Sequence, residues 1–171
     1  PAPKREEAND LKRPELYINR ELSWLEFNER VLAQACDSSH PLLERIKFFS
    51  ITATNLDEFF MIRVSTTLKN LREGIEDIAP DGYNTEQQLE AMRARARRML
   101  NDQAAVWVDL RTLLAAEQIS LLDPDQWTAE IREHLTSYFS REICPVLTPL
   151  AFDPGHPFPL ISNLSKNFAV V

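Results

Sequence analysis

Glycine is nearly absent, with three in 171 residues. Phosphate-cradling loops of the P-loop and Rossmann kinds need glycine-rich runs, so both are excluded. Cysteine is rarer still: Cys36 and Cys144 stand alone, with no Cys-x-x-Cys pair and no His/Cys cluster. That pattern predicts a reducing, cytoplasmic setting and no structural zinc. No apolar run approaches the roughly 20 residues of a membrane-spanning helix, and the polar first residues make no signal peptide. Positive charge is also short. The net charge of −7 argues against a nucleic-acid surface, although a local basic site for a polyanion remains open. No Ser/His/Asp order stands out, and the carboxylates are scattered, so these residues carry no catalytic centre of their own.

What is present is the composition of a globular chain, 44% hydrophobic and 26% charged. The length suffices for one sizeable core or two small domains. The chain opens PAPKREEANDLKR, a Pro- and charge-rich lead-in predicted to be disordered over 1–15. It lacks an initiating methionine, and it stops inside the apolar run FAVV. Both ends read as cut from a longer protein.

Residues 17–71 organise the rest. Ser23 is placed to cap a helix, with Glu26 returning the hydrogen bond and Leu22 and Phe27 forming a hydrophobic staple. Behind it Trp24, Phe27, Val31 and Ala35 share a face that Leu25 and Leu32 widen. A second start is read at Asn55, with Glu58 in the box position and Asp57 beside it in the first turn. Its stripe is Leu56, Phe59, Phe60, Val64, Leu68 and Leu71, and Gly74 is the stop. Between the two starts, Pro41 opens a short helix capped by Ser38 or Ser39, with Leu42, Leu43, Ile46 and Phe49 inward. The stretch 48–55 then presents side chains. His40 reads as a surface or capping residue.

After the turn at Pro80-Asp81-Gly82, Thr85 and Gln88 cap a long helix reaching Glu117. Leu89, Met92, Ala96, Met99, Leu100, Val106, Trp107, Leu110 and Leu113 trace its apolar face. At 1.5 Å per residue it makes a rod of about 48 Å. Arg93, Arg95, Arg97 and Arg98 spread around it and read as a solvated face, the alternative being a polyphosphate or partner contact. Helices joined by short loops predict a mainly α fold, an antiparallel helical bundle over 16–118. Beyond it, Ile119, Leu121 and Leu122 suit a short strand. Asp123, Pro124 and Gln126 start a helix with Trp127, Ile131, Leu135, Tyr138 and Phe139 as its stripe and His134 exposed. Pro145, Pro149, Pro154, Pro157 and Pro159 then impose an extended connection packed through Leu147, Leu150 and Phe152, with His156 as a turn residue. Residues 167–171 read as the first strand of an α/β unit, so 119–171 is the truncated beginning of an α/β head domain.

The runs ELSWLEFNERVL, PLLERIKFFSI and TNLDEFFMIRV resemble the N-terminal domain of the type 1 polyphosphate kinases. PVLTPLAFDPGHPFPLISNLSKNFAVV resembles the start of that family's head domain, and the likeness covers 16–171. The resemblance implies an ATP-polyphosphate phosphotransferase working reversibly through a phosphohistidine, with Mg2+ held outside these residues. It implies ATP or ADP, polyphosphate and the enzyme's remaining domains as partners, and a homo-oligomer. In that family the asparagine of NLDEF, here Asn55, lies against adenine, and the phenylalanine of ERxxF, here Phe48, packs near the same base. The accepting histidine belongs to a later domain, and none of His40, His134 or His156 matches it. This piece alone is then inactive. On residue chemistry, the Asn55 oxygen can cap while its NH2 stays free for a purine edge. The rival reading is a non-catalytic helical protein-interaction module, in which Phe48 and Asn55 only pack and cap.

Overall fold

Along Arg20–Cys36 (α1), burial recurs at Glu21, Leu25, Asn28, Leu32 and Ala35. Steps of four and three residues place these on one stripe of a helix. The computed structural model describes residues 11, 13–76, 78–151, 155, 157–162 and 164–169. In it this stripe faces Leu42–Phe59 (α2) and Thr85–Ala116 (α4). α2 contributes Thr52, Leu56 and Phe59; α4 contributes Leu89, Met92 and Met99. α1 and α2 run antiparallel, because Asn28 meets Thr52 and Ala35 meets Arg45 as one sequence ascends and the other descends. The fold is mainly α, as expected, and no strand occurs among the described residues.

Three helix starts differ from expectation. α1 begins at Arg20 because Asn19, not Ser23, caps it, its Oδ1 accepting from the backbone of Glu21 and Leu22, both at 3.0 Å. Ser23 lies inside the helix, so the Ser23–Glu26 box does not form. Its inward face also differs in part from the aromatic stripe: Trp24 packs on the core, but Phe27 is 49% exposed, whereas Glu21 and Asn28 are buried. Tertiary partners make those polar residues acceptable inside, and hydropathy alone cannot see partners. α2 starts at Leu42 with Pro41 as its cap residue, ahead of which Ser38 and Ser39 play no part. Leu43 faces solvent. α4 starts one residue earlier than read, with a reciprocal box between Asn84 and Gln87. Thr85 is instead buried, its hydroxyl reaching the Ile75 carbonyl.

The largest correction concerns Asn55. It is not a helix start but an interior residue of α2, which passes through NLDEF unbroken. Asp57 and Glu58 therefore have no helix terminus to face, and both are exposed. Directly after Phe59 the helix widens into one π turn, Phe60–Val64, before continuing as Ser65–Arg72 (α3). The wide turn adds one position to the pitch. The buried row Thr52, Leu56, Phe59 thus resumes at Val64 rather than Arg63, and Arg63 comes within 3.6 Å of Glu21. Phe60 and Leu71, expected inside, are exposed. Hydroxyls of Ser65, Thr66 and Thr67 bond back to the carbonyls of Met61, Ile62 and Arg63.

Gly74 ends α3 as expected. Its φ of +67° lets its N–H reach Leu71 O while Ile75 N–H reaches Asn70 O, a Schellman closure. Gln118 closes α4 the same way at φ +61°.

Contacts divide the chain into Pro1–Leu121 and Leu122–Val171. In the second unit the single helix expected from Asp123 is interrupted. Pro124–Gln126 is a lone 3-10 turn boxed by Asp123, Trp127 is extended, and Ala129–Tyr138 (α5) starts from its own cap, Thr128. A π turn over Phe139–Ile143 and a 3-10 turn over Cys144–Val146 follow. Ile119, Leu121 and Leu122 form no strand, nor do 167–169. A strand requires a neighbour to hydrogen-bond, and none is described here. Leu147 and Leu150 are exposed rather than packed. Most of the 1–15 lead-in, Phe152, Pro154, His156 and the last two valines lie outside the described residues; of the lead-in, Pro14–Leu16 makes a 3-10 turn. Among the described residues no helix is long and apolar enough to cross a membrane.

Candidate functional site

Phe48, Thr52 and Asn55 occupy successive turns of one α2 face, at spacings of four and three. Phe48 and Asn55 are two turns apart, about 10.5 Å along the axis. Both are half-buried. The inner side of Phe48 packs on the core cluster, and its ring lies 5.6 Å from that of His40, tilted by 39°. His40 Nε2 is 3.1 Å from Gln34 Oε1, which ties the ring to α1.

Asn55 is held from behind. Its Nδ2 donates to Asn28 Oδ1 at 2.8 Å. Asn28 is fully buried on α1, its own Nδ2 donating to the Thr52 carbonyl at 3.1 Å and lying 3.6 Å from Met99 Sδ. The Thr52 hydroxyl in turn bonds to Phe48 O at 2.9 Å. One polar thread therefore joins α1, α2 and α4 beneath Phe48 and Asn55. This reverses the expected use of the Asn55 amide: the NH2 is the group that is engaged. Asn28 was missed by sequence reasoning. Its signal was there, since an asparagine three residues after Leu25 and four before Leu32 sits on a core stripe and must find partners.

The surroundings are charged but paired. Arg95 grips Glu29 with two hydrogen bonds of 2.5 Å and lies 3.7 Å from Glu26. The Glu29 hydrogen bonds hold the guanidinium above its ordinary value, against the opposing pull of burial. Of the four clustered arginines of α4, Arg95 is thus an α1–α4 tie, while Arg93, Arg97 and Arg98 are exposed. Glu21, buried, pairs with Arg20 at 2.9 Å and with Arg63. His134 is exposed, as read. Cys36 and Cys144 are free and exposed. Among the described residues no three His, Cys, Asp or Glu gather as a metal centre.

Two surface depressions lie elsewhere. One of about 350 Å³ is lined by Ser65, Leu68, Lys69, Arg72 and Glu73, and one of about 290 Å³ by Tyr83, Gln87, Glu90, Ala91 and Ala94. Neither is lined by Phe48 or Asn55.

Fold and face together define a helical domain whose second helix carries a half-buried aromatic and an amide anchored from behind. The description "Polyphosphate kinase N-terminal domain" matches residues 17–122, and "Polyphosphate kinase middle domain" matches 130–171. The chain is 46% identical over 172 residues to a polyphosphate kinase of Thermosynechococcus vestitus, covering 100% of this chain and 24% of that protein. It is 47% identical to one of Prosthecochloris aestuarii, covering 94% of this chain and 23% of the relative. Polyphosphate kinase 1 of Chlorobaculum tepidum is 48% identical, covering 92% and 23%. No solved structure matches. The chain belongs to the polyphosphate kinase family and spans about a quarter of the length of these relatives.

Proposed function

We propose that this chain forms the adenine-facing helical wall of an ATP-polyphosphate phosphotransferase. The intact enzyme moves the terminal phosphoryl of ATP onto polyphosphate and back, through a phosphohistidine carried outside these residues. Mg2+, also bound elsewhere, neutralises the phosphate charge that such transfer develops. The remaining domains complete the site, and the full protein works as a cytoplasmic homo-oligomer. Residues 119–171 begin the head domain.

The observation that carries this reading is the Asn55 amide, fixed by buried Asn28 two turns from Phe48 in a chain of this family. Phe48 offers an apolar face to the base and Asn55 a hydrogen bond to its edge. Asn55→Ala in the full-length enzyme tests it. The KM for ATP should rise about tenfold, the equivalent of about 1.4 kcal/mol, with kcat nearly kept. Unchanged ATP kinetics would favour the interaction module. Asn55→Asp is a poorer probe, because its carboxylate would face the Asn28 oxygen and disturb the fold as well. Residues 1–171 alone should make no polyphosphate, and turnover by them would overturn this division of labour.

A further inference from the structure

The thread beneath Asn55 has a direction. A backbone carbonyl accepts hydrogen bonds and cannot donate. The Thr52 carbonyl, 3.1 Å from the Asn28 amide, therefore requires Asn28 to present its NH2 there. The other end of that amide, Oδ1, must then face Asn55. An oxygen in that position takes only a donor, so Asn55 turns its NH2 inward and its oxygen outward. Rotating Asn55 by half a turn would bring two carbonyl oxygens to about the 2.8 Å of the present bond. Rotating Asn28 to relieve that would set its oxygen against Thr52 O instead. Asn28 is fully buried, so no solvent offsets either clash.

We infer that Asn28 is a positioning residue that fixes Asn55 with its acceptor outward and so selects purines bearing an amino group at C6. This rests on the proposed contact between Asn55 and the base. Adenine carries a donor at that position, and guanine an acceptor. An asparagine free to turn over would serve both. One locked from behind rejects the base that brings oxygen to oxygen, as a site built around one hydrogen-bonding pattern does.

The test compares ATP, GTP and purine riboside triphosphate, which lacks the amino group, as substrates of the intact enzyme. For the wild type, KM should rise about tenfold or more for both analogues, with a smaller change in kcat. Equal KM for ATP and purine riboside triphosphate overturns the inference without any variant. Asn28→Leu, confirmed folded by its melting curve, should narrow the ATP-over-GTP preference about tenfold, chiefly through KM. Asn28→Asp, whose protonated form keeps both the donor to Thr52 and the oxygen toward Asn55, should retain it. An unchanged preference in folded Asn28→Leu sinks the positioning role. If Asn28→Leu does not fold, the wild-type analogue comparison decides. Loss of ATP affinity in Asn55→Ala together with unaltered selectivity in Asn28→Leu removes only the inference about Asn28. Unaltered ATP kinetics in Asn55→Ala removes the base contact itself.

Discussion

Residues 17–121 and 122–171 are both rich in large apolar side chains, yet they use them differently. The first region seals Leu25, Phe59, Met92, Met99 and Leu110 almost completely. In the second, no described residue is buried, and Phe168, Val146 and Leu150 stand mostly in solvent. Trp127 and Ile131 are only half-buried. An apolar stripe becomes a core only when another stripe faces it. α1, α2 and α4, of 17, 18 and 32 residues, face one another. α5 has 10 residues, a length marginal for a helix without tertiary support.

The sharpest test of this contrast is amide hydrogen exchange on the 171-residue chain. Core amides of α1, α2 and α4 should be protected on the order of a thousandfold more than those of α5, because only the former open with the whole core. Equal protection would show that the second region shares the fold's cooperativity. Next in size is a matched pair of truncations. Phe59→Ala removes a fully buried ring stacked 5.0 Å from Trp24, and should cost about 3–5 kcal/mol in urea unfolding. Phe139→Ala, at an exposed ring, should stay within about 0.5 kcal/mol. A large loss at Phe139 would mean that its region has a core after all.

What the sequence revealed divides along the same line. α4 was legible in its length and in Leu89, Met92, Ala96, Met99 and Leu110, because the inward row repeats through 32 residues; Leu100 and Leu113, read on the same face, are exposed. The stop at Gly74 was legible because a left-handed residue is a local requirement that glycine meets. Ser23 and Asn55 misled because a capping box is a four-residue pattern, and such patterns also arise inside helices. Asn55 resembles a cap in sequence, but its amide answers Asn28, 27 residues away. That partnership depends on α1 and α2 lying antiparallel, which no local window contains. The π turn was hidden for a related reason. It is the adjustment that brings Val64 inside and Arg63 to Glu21, and both partners are set by packing. In the second region the expected stripe is not a single buried face: Trp127 and Ile131 are half-buried, whereas Leu135, Tyr138 and Phe139 are exposed, and period cannot say whether a facing surface is within reach.

The smallest expected effect isolates the comparison most cleanly, because it uses one device in both regions. Asn84 caps α4 through Gln87 N–H at 2.8 Å, and Thr128 caps α5 through Ile131 N–H at 3.3 Å. Each removal exposes an unpaired amide at a helix start, a local loss of about 1 kcal/mol. In Asn84→Ala that loss should appear in the global melt, since α4 carries Met92 and Met99 in the core and cannot fray without opening it. In Thr128→Ala the same local loss should leave the global transition unmoved and show only as faster exchange within α5. Local free energy reaches global stability only through an element whose face is buried, and the returning bond from Gln87 to Asn84, which Thr128 lacks, changes the size of the local loss but not where it appears.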